Sequence, residues 1–292
     1  MPRFVWMLLA LAGAPPVHAA IDMDTAAQIY ESAAVRTQVR ASLPAMPARI
    51  RDMFKSEART PLSEAQLKAI QDAAERGFRI DVFEPAAITA LAANLDAPTA
   101  KKVLKFLGGE LGMRMVASDK ALSQLDEPTI DKVMSGDLKP PATPARDALF
   151  ERLEVAARST ESTVQIFTSM GRAVAIGTAI GTGADPAAVE ERSRKNAEAT
   201  RKDLVNGMRE PLRRYMTYGY RDLSDADLKS LLSFLESKVG RSYVNAYTSA
   251  MGAGFDAMGK RCGEQLGGAL RDLAQAQAQS LPAAGSAAPE RH

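Results

Sequence analysis

The sequence predicts an all-α protein, a helical bundle built from two related multi-helix units. Three observations carry this. Alanine, leucine, lysine, arginine, glutamate and methionine dominate, and no segment alternates apolar and polar residues as a half-buried strand does. Capping residues stand before apolar runs with steps of three and four. One stretch of the chain repeats another at a fixed offset. With 292 residues, 46% hydrophobic and 25% charged, the chain can bury a sizeable core.

Taken in order, residues 1–19 read as a secretory signal peptide. Arg3 supplies the positive start and Phe4 to Leu11 (FVWMLLAL) the apolar run, which is too short to span a bilayer. Gly13, Pro15 and Pro16 end it. Val17-His18-Ala19 places small residues where cleavage between Ala19 and Ala20 needs them. No cysteine follows to take a lipid. The expected location is the periplasm, and the mature chain has 273 residues with a net charge of +1. So even a balance does not suit binding nucleic acid through counterion release.

Residues 20–135 form the expected first unit, a divergent copy. Ser63-Glu64-Ala65-Gln66 reads as a capping box opening a helix to about Phe83. Asp96 caps another, with Pro98 in its first turn. Residues 136–145 (GDLKPPATPA) read as a linker. The second unit spans 146–273. Within it, Thr163–Gly181 is strongly apolar and carries Gly177-x₃-Gly181, a close-packing spacing. Arg172 near its middle argues against a membrane span. Asp185-Pro186 opens a charged helix with Glu190/Arg194, Glu191/Lys195 and Glu198/Lys202 at i,i+4, and Pro211 should kink it. Ser224 with Asp227 caps the next helix, whose Leu228, Leu231, Leu232 and Leu235 share one face. Val244, Tyr247, Met251, Phe255, Met258, Cys262, Leu266, Leu270 and Leu273 then form a stripe, which makes Cys262 a buried structural thiol. Residues 274–292 read as a disordered tail.

The units look like tandem copies. Residues 95–118 align without gaps on 223–246, with seven of 24 positions identical, among them Phe106/Phe234, Leu107/Leu235 and Gly112/Gly240. Ile29-Tyr30-Glu31 echoes Leu149-Phe150-Glu151. If the copies are real, Phe106 and Phe234 should be buried equivalents plugging each helix junction. Gly112 and Gly240 should let the next helix start close by, where a Cβ would collide.

The stretch Tyr215–Tyr243 resembles the bacterial domain-of-unknown-function 2059 family. Tyr218, then Leu223-Ser224-Asp225-Ala226-Asp227-Leu228, then Phe234-Leu235-Glu236-Ser237-Lys238-Val239-Gly240 carry the resemblance. Leu235 and Lys238 replace the family's tyrosine and proline, and the first copy has Gly108-Gly109 in place of Ser-Pro. The resemblance implies an exported helical protein and supplies no catalytic residues, metal ligands or cofactor.

Scarce residues narrow the chemistry. His18 goes with the signal, leaving His292 alone, so histidine-based nucleophile systems, zinc sites and haem ligation are not expected. Cys262 alone makes neither an internal disulfide nor a cysteine cluster. Gly254 to Lys260 has P-loop spacing, but Arg261 stands where a hydroxyl would hold Mg²⁺. Gly181 to Pro186 is a glycine-rich approach to a helix start, read as a helix stop. Glu236-Ser237 resembles the pair of lytic transglycosylases. The functional expectation is a non-catalytic envelope interaction module without cofactor. Its partner would be an envelope protein or cell-wall component, and it could be a homo-oligomer. The alternatives are a carboxylate-type enzyme cleaving cell-wall glycan and a membrane-surface binding protein acting through Thr163–Gly181.

Overall fold

The computed structural model describes residues 20–57 and 61–280. Among them the chain is all-α, with no strand and a single isolated bridge, Ala20 to Asp96. The signal segment, Ala19 included, lies outside the described residues.

An elbow opens the fold. Asp22 caps α1 (Met23–Ser32) by accepting from the Thr25 N–H at 2.7 Å. Ala34, at φ 53°, turns the chain into α2 (Val35–Ser42). A 3₁₀ turn leads to α3 (Met46–Glu57), then to α4 (Glu64–Gly77), whose capping box by Ser63 and Gln66 is formed as expected. That helix ends at Gly77, short of the expected Phe83. Phe78 turns inward, 6% exposed, and extended Arg79 restarts the chain as α5 (Ile80–Asn94). Gly77 is needed where it stands, because a Cβ there would lie 2.2 Å from the Cys262 Cα. Asp96 caps α6 (Ala97–Leu107), and Gly108-Gly109 turn it into α7 (Glu110–Ser123). Next comes α8 (Glu127–Ser135), which stops at Gly136 with φ 92°.

The linker is shorter than the sequence suggests, because Thr143 caps α9 (Pro144–Ala157) and Pro144 is its first residue. Arg158, at φ 51°, makes a second elbow into α10 (Ser159–Thr182). Gly183, at φ 80°, stops that helix, and Asp185 caps α11 (Pro186–Gly219), so the glycine-rich stretch is a helix stop and start. Pro211 does not end α11, which runs through it. Of its three expected ion pairs, Glu191–Lys195 forms at 3.2 Å, while Glu190 reaches Arg172 and Arg194 pairs with Glu191 and Glu198. Ser224 and Asp227 form a capping box on α12 (Asp225–Glu236). The last helix, α13 (Lys238–Ser280), is 43 residues, about 65 Å at 1.5 Å per residue. Residues 274–280 are therefore helical rather than disordered. Alanine and glutamine are good formers, and they extend a helix already nucleated.

Two hydrophobic cores result. The larger gathers Tyr30, Phe83, Leu91 and Val103 from the N-terminal helices and is closed by Ala246, Met258, Cys262 and Leu266 of α13. Most of the stripe predicted on α13, from Tyr247 to Leu270, faces this core, while Val244 packs with Phe150 and Leu231 instead; Cys262 is fully buried with its thiol pushed up to about 12 by desolvation. The smaller core packs Phe150 and Leu153 of α9 against Leu228, Leu231 and Leu232 of α12. Phe106, Met115 and Phe234 touch both. The expected boundary between units is thus crossed by α13, which starts beside the second core and completes the first.

The pairing of α10 with α13 is a seam of small residues. A Cβ on Gly177 would sit 2.1 Å from the Lys260 carbonyl oxygen, and one on Gly263 2.1 Å from that of Val174. Gly181 and Gly267 face each other with equally little room. The Gly177-x₃-Gly181 spacing therefore serves an internal contact. No helix among the described residues is long and apolar enough to cross a membrane.

Candidate functional site

The junction of α6 with α7 and that of α12 with α13 are built alike. A Cβ on Gly112 would lie 2.1 Å from the Phe106 carbonyl oxygen, and one on Gly240 2.0 Å from that of Phe234. Both glycines are buried. Phe106 and Phe234 do not plug separate junctions, however. Each is half-buried, and their rings stack on one another, centroids 3.7 Å apart and 3° from parallel. Each ring completes its neighbour's packing. Around them a shallow surface depression is lined by Lys102, Lys105 and Gly109, with Ser230, Ser233 and Ser237 at the same offset of 128.

Glu236-Ser237 belongs to this turn. The Ser237 hydroxyl donates to the Phe234 carbonyl at 2.6 Å and accepts from the Gly240 N–H at 3.0 Å, so it is the cap between two helices. Glu236 is exposed and paired with Arg152 at 2.8 Å. The stretch Gly254–Lys260 lies in mid-helix, Gly254 against the Phe83 ring, with no loop to cradle a phosphate.

Farther along α7 and α13 the walls part around a cavity of about 310 Å³. Met115, Val116 and Asp119 of α7 line it opposite Tyr243, Val244 and Tyr247 of α13, again at an offset of 128. Leu231 and Leu235 of α12 add apolar floor, Tyr220 closes one side, and Ala33 and Ser159 come from the residues flanking the two elbows. The lining is mostly apolar and contains one acid, Asp119, and no lysine, arginine or histidine.

Asp119 is the polar centre. The Tyr220 hydroxyl donates to its Oδ1 at 2.9 Å. Burial raises its carboxyl to about 7, and the Tyr220 hydrogen bond only partly offsets this. The same surroundings raise Tyr220, Tyr243 and Tyr247, chiefly by desolvation, so these phenols stay neutral. Tyr215 donates to the Leu122 carbonyl at 3.1 Å and is raised by burial and by the nearby Asp119 charge. The Ser159 hydroxyl is buried without a hydrogen-bond partner among the described residues. Beyond it, the Ser162 and Thr248 hydroxyls are 2.8 Å apart.

The sequence placed Tyr247 on the α13 stripe but assigned none of the cavity's polar residues to a site. The available signal was the gapless repeat: extended by one residue, it sets Asp119 opposite Tyr247, an acid on an otherwise apolar stripe. Among the described residues no cluster of histidine, cysteine, aspartate or glutamate could hold a metal ion. No family model matches the chain, and neither a curated protein nor a solved structure matches it.

Proposed function

We propose that this chain is an exported, non-catalytic helical binding module of the bacterial envelope, acting in the periplasm. The signal-like first 19 residues and the resemblance to the domain-of-unknown-function 2059 family support the address. One observation carries the binding reading: the cavity has polar groups that would orient a ligand but only one carboxyl and no second acid, base or nucleophile pair beside it. Glycan cleavage uses two carboxylates flanking the scissile bond, roughly 5–10 Å apart. Glu236, the acid that suggested an enzyme, is outside the cavity and held by Arg152. Membrane-surface binding through Thr163–Gly181 loses its glycine face to α13, although Phe167 and Ile180 remain exposed on α10.

The same proposal includes tandem duplication. It is supported by the matched glycine contacts, the stacked phenylalanines and two non-glycine elbows at positive φ, each following the first helix of its unit. Crosslinking in intact cells, followed by mass spectrometry, tests the module reading. Capture of an envelope protein or cell-wall fragment is expected, together with a mature N-terminus at Ala20. Release of soluble fragments from purified cell wall, abolished by Glu236→Gln, would replace it with the enzyme.

A further inference from the structure

We propose that the cavity between α7 and α13 binds a small organic cation, its ammonium group against the Asp119 carboxyl and its apolar body along Val116, Leu231 and Leu235. The inference rests on the binding-module reading and names the ligand class.

Asp119 forms no ion pair with any described residue, and its only hydrogen bond comes from Tyr220. A carboxylate in an apolar wall without a cation is a costly arrangement, and removing one charge from a buried pair shows how much the missing partner is worth. Nothing in the lining supplies that partner, because the cavity has no basic side chain. A ligand cation would.

The neighbours suit the same guest. Tyr220, Tyr243 and Tyr247 line the space, and aromatic rings attract ammonium groups through their electron-rich faces. The Ser159 hydroxyl is buried and unpaired among the described residues and can accept an ammonium N–H. An anion would meet one carboxyl and no donor cation. A wholly apolar guest would leave the Asp119 carboxyl without a counter-charge and the Ser159 hydroxyl unpaired. The volume lies at the small end of ligand pockets, about 300–1,000 Å³, which fits one ring with a short amine arm.

Protons report the seating. Tyr215, Tyr220, Tyr243 and Tyr247 are the titratable groups around Asp119, and all are raised by burial and neutral near pH 7. Asp119 is thus the one group there that changes charge, and a bound cation would expel its proton.

The test is calorimetric titration of the full mature chain with 2-phenylethylamine, 2-phenylethanol and 3-phenylpropanoate, three probes differing in the charge of one end. At pH 8 the ammonium probe is expected to bind at least about tenfold more tightly than the alcohol, and the carboxylate not at all. At pH 6, buffers of different ionisation enthalpy should reveal a proton released on binding that is largely absent at pH 8. Asp119→Asn should weaken the ammonium probe about thirtyfold or more and abolish the proton release. Lys195→Gln, on the exposed face of α11 and outside the cavity, should retain binding and proton release. No binding of the ammonium probe, equal binding of the alcohol, or binding without proton release at pH 6 overturns the proposal, the last even if Asp119→Asn does not fold. Recovery of the probe unchanged separates binding from turnover. An in-cell crosslinked partner without cavity binding would leave the module reading standing and remove this one.

Discussion

The two helix junctions, α6 with α7 and α12 with α13, differ little in shape and much in what they lead to. Each starts from a capped helix, carries a half-buried phenylalanine in the last turn and resumes beside a buried glycine, after a break of two residues (Gly108-Gly109) in the first and one (Ser237) in the second. After the turn they diverge. α7 stops after 14 residues, while α13 continues for 43 and covers the other core. At one matched position α7 presents an acid, Asp119, and α13 a phenol, Tyr247. Backbone-to-backbone contact at the turn tolerates no variation, so that part stays alike. Side chains facing a void are free of that constraint, and there the chemistry differs.

The largest expected effect breaks the likeness at its tightest point. Gly240→Ala and Gly112→Ala each place a Cβ about 2 Å from a backbone oxygen that cannot move independently. Each should cost about 2–4 kcal/mol in a denaturant melt. Tolerance of one and not the other would show that the junctions are not equivalent. Next come the stacked rings. Because Phe106 and Phe234 are half-buried, Phe106→Ala and Phe234→Ala should each cost about 2 kcal/mol, below the 3–5 of a fully buried phenylalanine. The double variant should lose about 0.5–1.5 kcal/mol less than the sum, since one ring's partner is already gone. Additive losses would mean that the rings do not depend on each other.

A third prediction contrasts two acids by pH. Asp119 is raised to about 7 by burial, so between its ordinary value of 3.8 and 7 the folded chain holds a proton that the unfolded chain has released. Its contribution to stability therefore falls as pH rises through that window and is flat above it. Asp227 has the opposite sign: the Arg114 hydrogen bond, with help from Ser224, lowers it to about 2, and its contribution is lost as pH falls through 3.8 toward 2. Asp119→Asn should then be stabilising at pH 8, on the order of 2 kcal/mol, and close to neutral at pH 4. Thermal melts across pH decide this, and a variant equally stable relative to wild type at both values would contradict it. The smallest effect concerns the exposed face of α11. Lys195→Glu breaks one solvated pair with Glu191 and should change stability by less than about 0.5 kcal/mol.

Caps, stripes and glycines were legible in the sequence because each acts within a few residues. Ser63, Asp96, Asp185 and Ser224 cap as their spacing predicts. The Cys262 stripe and the closeness of Gly112 and Gly240 were equally local signals. Long-range choices were not legible. Nothing near Gly77 announces that Cys262 will press on it, and nothing in the charged run of α11 says that Glu190 will turn to Arg172. The stacking of Phe106 on Phe234 needs the two junctions brought together, which a one-dimensional repeat does not specify. The cavity was hidden for the same reason, since its lining comes from α2, α7, α9, α10, α11, α12 and α13 and only its α7, α12 and α13 walls belong to the repeat.

The reach of α13 orders events in time. Phe83 waits for Phe255, whose ring meets it edge-on at 5.1 Å, and Gly77 waits for Cys262, contacts that close loops of well over a hundred residues. Such closures come late and slowly compared with local helix formation. A chain emerging from its N-terminus therefore keeps its larger core uncovered until nearly its whole length is available. Under the export reading, that delay holds the chain in a threadable condition until its last helix arrives. Stopping the chain at the linker should leave an N-terminal fragment that forms helices but does not melt cooperatively.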